Sequence, residues 1–204
     1  PTSVAVSPDG AHVYVACANT DTLTCFSRDA RDGRISLNFS QGIAAWGLFP
    51  GNLQPHTWVT SMSFARPPGG GDELLYATTA FPGSIHVLSR APDGALTVLQ
   101  TVSDGDDGGF VDALGGAMGA SFSPEGDLLY VSAYTDSALS EFRVAQNGSV
   151  EYLDRLRAGE RTRSEFVPSA RPLLYDSFGR PDTSEALAQA HLSLGEGSHA
   201  LVVA

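Results

Sequence analysis

Lysine is missing from this chain altogether; all 12 of its basic residues are arginines. That absence removes Schiff-base and lysine-nucleophile chemistry, and so complete a bias reads as a GC-rich genome rather than a functional choice. Positive charge as a whole is scarce. Against the 12 arginines stand 23 acidic residues, a formal net charge of −11. A chain that binds nucleic acid needs basic stripes to meet the phosphates, so nucleic acid is excluded as a partner, and the acidity itself is read as solubility. Two cysteines, Cys17 and Cys25, are too few for a disulfide framework. No run approaches the ~18 apolar residues that a membrane helix requires. No stripe of helical period recurs along the chain. The nucleophile elbow GxSxG, the zinc motif HExxH and the phosphate loop are also missing, and no cofactor is expected. At Pro1 there is no initiator methionine and no charged leader; the expectation is that the natural protein begins upstream, which leaves the compartment open.

What the chain has in plenty is turns. It holds 22 glycines and 12 prolines, as expected where many short strands are joined by tight connections. An internal repeat organises them. Residues 2–8 read TSVAVSP, residues 60–65 TSMSFA and residues 119–124 GASFSP, so units start about 58 residues apart. SPDGAHVYVACANTDTLTCFSRD, from Ser7, lies without a gap over SPEGDLLYVSAYTDSALSEFRVA, from Ser123. In that register Tyr14 meets Tyr130, Leu23 meets Leu139 and Phe26 meets Phe142; the middle unit contributes Tyr76, Ile85 and Leu88. Each unit closes with a turn and a fourth strand: RDGRISL, PDGALTV and QNGSVEY.

The strands are short, rich in β-branched and aromatic residues, and bounded by Asp-Gly, Glu-Gly, Pro-Gly or Asn-Gly. Four strands per unit predict an all-β chain of propeller blades over 1–41, 59–100 and 117–153. A half-blade follows at 188–204, LSLGEGSHALVVA, with a long insertion at 154–187. Val4, Val6, Val13 and Val15, with Phe64, Leu75, Phe122, Leu129 and Val131, are expected to be buried between blades.

The segments VAVSPDGAHVYVA and ASFSPEGDLLYVSA resemble the repeats of the YVTN and lactonase-type (phosphogluconolactonase-like) β-propellers. The resemblance covers the three repeats and the final half-unit. It implies a ring of about seven blades, of which this chain is a partial propeller, a fragment of the larger ring. For activity it implies hydrolysis of a sugar lactone by polar and charged residues at the channel mouth, but no residue here matches that cluster.

The candidate sites stay separate from the resemblance. Asp104, Asp106 and Asp107 in SDGDDGG offer carboxylates to a hard cation. The regular calcium loop with its closing glutamate is absent, so a solvated acidic turn is preferred and no metal is assigned. The most basic window, RLRAGERTR, holds Arg155, Arg157, Arg161 and Arg163, with Phe166, Leu173, Leu174, Tyr175 and Phe178 behind it. Arginine beside exposed aromatics suits a protein interface, and a protein partner is expected to dock there if anywhere. His12, His86 and His199 fall in or beside strands and read as structural; His56 and His191 sit near blade entrances and face the axial channel if any do. Cys17 and Cys25, one hairpin apart, are read as free thiols rather than a disulfide. Asn38-Phe39-Ser40 and Asn147-Gly148-Ser149 are glycosylation triplets, which matter only in a secreted protein.

Three functions compete on these grounds. The preferred one is a non-catalytic propeller serving as a protein-interaction platform or structural subunit, since recognition commonly sits on loops of a rigid scaffold. The second is the lactone hydrolase that the resemblance implies. A secreted or surface repeat protein is the third.

Overall fold

The computed structural model describes residues 1–42 and 58–159. They form three four-stranded antiparallel sheets, each a simple meander in chain order. The first contains β1 (Ser3–Val6), β2 (His12–Cys17), β3 (Thr22–Arg28) and β4 (Ile35–Gly42). The second contains β5 (Val59–Ala65), β6 (Leu74–Thr79), β7 (Ser84–Arg90) and β8 (Leu96–Ser103). The third contains β9 (Ala117–Phe122), β10 (Leu128–Ala133), β11 (Ala138–Val144) and β12 (Val150–Arg157). First strands adjoin one another, β1 against β5 and β5 against β9. This is the blade arrangement that the repeat predicts.

Register explains how the blades stack. Residues directly opposite in neighbouring strands share a face of the sheet. In the second blade one such row is Phe64, Leu75, Leu88 and Val98; it packs on Tyr14, Ala16 and Leu23 of the first blade. In the third blade the matching row is Phe122, Leu129, Phe142 and Tyr152, packed on Tyr76, Ile85 and Val87 of the second. Each fully buried side chain of this kind contributes roughly 1.5–3 kcal/mol. Two apolar cores, one per blade boundary, therefore carry the described fold.

Three expectations need correction. Val4 and Val6 are 59% and 52% exposed, while Leu75, Leu129 and Val131 are fully buried as expected. The reason is direction: the row Val6, Val13, Phe26 and Leu37 crosses all four strands of the first blade on the face away from the second. Lastly, residues 154–157, assigned from sequence to the insertion, complete β12, and β8 runs to Ser103 rather than ending near 100.

Candidate functional site at the strand-entry end

Strands alternate in direction, so all hairpins between second and third strands lie at one end of the blades. That end also receives each chain entry into a first strand. It gathers residues 18–21, 80–83 and 134–137 together with Trp58 and the connection 104–116. The upper ends of β8 and β12 arrive there too, which brings Asp104, Asp106, Asp107 and Arg157 to the same end. The acidic-turn and arginine candidates within the described residues thus share one end of the blades.

Asp112 is the centre of it. Its carboxylate accepts Arg157 at 2.6 Å and pairs with Nε of Arg155 at 2.9 Å. Residues two apart on one strand point to the same side, so β12 presents both guanidinium groups together. The segment that follows is a strap between the second and third blades. Leu114 donates its amide to Asp104 at 2.9 Å, and Gly115 donates to Asp136 at 2.7 Å. Gly116 donates to the Ala80 carbonyl at 3.2 Å and accepts from the Tyr134 amide at 2.9 Å. The Ser140 hydroxyl donates to the Ala113 carbonyl at 2.6 Å. Gly83 has to be glycine for this packing, because a β-carbon there would collide with the Leu114 carbonyl. Sequence reasoning missed both Asp112 and Asp136.

The acidic turn is used by the fold as well. Asp106 accepts the Ser103 amide at 2.7 Å, and among the described residues no trio of metal-ligating side chains lies together. Beside it a cleft of about 450 Å³ opens between β8 and β12, bordered by Gln100, Asp107, Phe110 and Tyr152. The Gln100 amide spans the blade boundary below, donating to the Val150 carbonyl at 2.9 Å and accepting its amide at 2.7 Å. At the same end Trp58 and Phe81 stand edge to face at 5.7 Å, both partly in solvent, and Tyr134 is 81% exposed.

Of the five histidines, His12 and His86 fall within the described residues, and His199 lies outside them. His86 is buried inside the second blade between Thr79 at 3.2 Å and Thr101 at 3.1 Å; burial pushes its pKa down to about 4. His12 lies at the opposite end, its Nδ1 3.1 Å from Arg90. Arg90 in turn holds Asp9 at 2.7 Å. The Ser7 hydroxyl, the Ala11 amide and that guanidinium keep the Asp9 carboxyl well below the usual carboxylate range. Cys17 and Cys25 are both free; across the ladder Cys17 faces Thr22 and Cys25 faces Tyr14. Burial pushes the Cys25 thiol up. His56, His191, Arg161, Arg163, Phe166, Tyr175 and Phe178 lie outside the described residues.

Threonines that the sequence reading passed over tie the first strands together. Thr2 donates its hydroxyl to the Val59 carbonyl at 2.6 Å, and Thr60 repeats the bond to Ala117 at 2.7 Å. The recurring Thr-Ser pair at 2–3 and 60–61 was the signal.

No protein-family model and no curated protein matches this chain. Solved structures do. The periplasmic gluconolactonase of Pseudomonas aeruginosa aligns over 88% of this chain at 18% identity, with a TM-score of 0.57. A candidate 6-phosphogluconolactonase from Bacteroides uniformis aligns over 87% at 19% identity and the same TM-score of 0.57. A protein from Lactobacillus plantarum aligns over 80% at 16% identity with a TM-score of 0.58. The chain is a partial β-propeller. It spans 44–48% of the length of these three structures. At such identities the likeness shows the β-propeller fold and nothing finer.

Proposed function

We propose that this chain supplies part of a lactonase-type β-propeller, a hydrolase that opens the ring of a sugar lactone, in preference to the non-catalytic platform that the sequence alone favoured. The observation carrying the proposal is the fold likeness to a gluconolactonase along 88% of the chain. Opening a lactone requires water to attack the carbonyl carbon while a base takes its proton and donors hold the oxyanion. The ring C–O bond then breaks, and the leaving alkoxide takes up a proton to give the hydroxy acid. The strand-entry end is the place for that chemistry on this half of the ring, since it carries the arginines, the carboxylates and the exposed Trp58, Phe81 and Tyr134.

One observation favours the platform as a second reading. The carboxylates of Asp104, Asp106, Asp112 and Asp136 all accept hydrogen bonds that hold the strap and its turn. They act as structural acceptors in the described arc rather than as a base. Assaying the full-length protein against a panel of sugar lactones separates the two. Turnover above the spontaneous rate supports the hydrolase. Absence of turnover, together with a stoichiometric complex that survives purification, supports the platform.

A further inference from the structure

The cleft between β8 and β12 is not used by the chemistry proposed above. It opens between the fourth strands of the second and third blades, while the first strands adjoin one another on the opposite side. Its floor is closed. Val102 and Val150 are buried there, and the Gln100 amide is bonded to Val150 in both directions. Its wall is aromatic: the rings of Phe110 and Tyr152 stand edge to face at 5.6 Å, and Phe142 backs Tyr152 at 5.4 Å. Phe110 is 63% exposed, a large apolar ring held in water beside a cavity of about 450 Å³. That volume lies in the range of sites that take a small group. The carboxylates of Asp106, Asp107 and Glu151 border the same space, and no arginine does. Asp106 gives one oxygen to the Ser103 amide. Glu151 meets Arg143 only at 3.6 Å, with both side chains largely in solvent.

We infer that this cleft is a docking site for an extended segment of a partner protein, which inserts one arginine side chain between the aromatic wall and the carboxylates. Charge and shape select the ligand. A guanidinium is planar, so it stacks on an aromatic face and forks onto a carboxylate, which the compact ammonium of lysine does less well. The alkyl stem behind it covers the apolar floor. A sugar lactone without a phosphate is neutral and the acid released from it is an anion, so neither is drawn to a rim of carboxylates. The flanking strands favour a polypeptide over a free small cation. β8 and β12 are the outermost strands of their sheets, and each leaves backbone N–H and C=O groups along its open edge for an added segment to pair with.

The probe is a pentapeptide with arginine at its centre, glycine on either side and both ends blocked. It is titrated into the protein while the signals of Phe110 and Tyr152 are followed by NMR. The peptide is expected to shift both sets of signals to saturation. Its citrulline analogue, which keeps the shape and loses the charge, should bind roughly tenfold more weakly. Asp107→Asn combined with Glu151→Gln, and Phe110→Ala by itself, should each weaken the arginine peptide by a similar factor. The unfolding midpoint should stay near that of the wild type, since all three side chains are exposed. Equal binding of the citrulline peptide overturns the proposal, and so does binding that neither variant changes. An arginine peptide that leaves these signals in place at millimolar concentration overturns it as well. So does arginine amide binding as tightly as the pentapeptide, since the occupant is then a free organic cation. None of these readouts depends on lactone turnover.

Discussion

Tyr14 on β2 and Gly94 in the next blade are joined by a hydroxyl-to-carbonyl hydrogen bond of 2.7 Å, and both are drawn from repeat positions that recur. Tyr76 and Gly148 repeat the pairing at 2.9 Å. Burial pushes the Tyr76 hydroxyl up to about 12, so it remains a donor at neutral pH. Removing it by Tyr76→Phe leaves a buried carbonyl without its partner, which costs about 1–3 kcal/mol. Tyr14→Phe is expected to match it, while Tyr130→Phe, with no described blade to lock, changes little. Urea unfolding of the three variants checks the ranking.

The Asp112 clamp joins two blades through one carboxylate. Asp112→Asn removes the carboxylate charge that Arg155 and Arg157 share, each about 30% exposed. The expected loss is about 1–3 kcal/mol. A double-mutant cycle with Arg157→Ala should show coupling between the positions. Additive losses would mean that the pair contributes nothing beyond its separate packing.

Gly83 carries the strap on its bare α-carbon. Gly83→Ala forces a methyl group onto the Leu114 carbonyl, so the connection must move or the blades must part. A loss of about 2 kcal/mol or more is expected, in the range of overpacked sites. Gly105→Ala, where open space surrounds the α-carbon, controls for crowding at the strap, with the strain of its left-handed backbone as its own separate cost. Thermal unfolding of the two variants measures the difference.

His86 gives the fold a pH dependence of known sign. Burial between two threonines lowers its pKa from 6.5 to about 4. Below pH 6.5 the unfolded chain takes up a proton that the folded one refuses, so stability falls as pH falls from 6.5 to 4 and is flat above. The full swing is on the order of 3 kcal/mol. Stability curves measured for the wild type and for His86→Gln should differ in slope only within that window.

Much of the architecture was legible before any coordinates. The aligned tyrosines and the Asp-Gly and Asn-Gly turns repeat because each blade needs the same turn and the same inward row. Which face of each row would be covered was not legible. Burial at Val6 depends on whether a neighbouring blade is present, a property of the arc and not of the strand. Residues 154–157 were missed because Asp-Arg-Leu-Arg is polar for a strand; its arginines are placed there by Asp112, which lies some 40 residues away in sequence. The strap lies in a connection between repeats, where the aligned segments carry no shared pattern to announce it.

The most direct test of the account is acid release from a phosphorylated and an unphosphorylated gluconolactone by the full-length protein, followed at constant pH. The account predicts hydrolysis faster than the spontaneous reaction and proportional to protein concentration for at least one of the two. Rates equal to buffer alone for both substrates, with the protein shown to be folded, would contradict it.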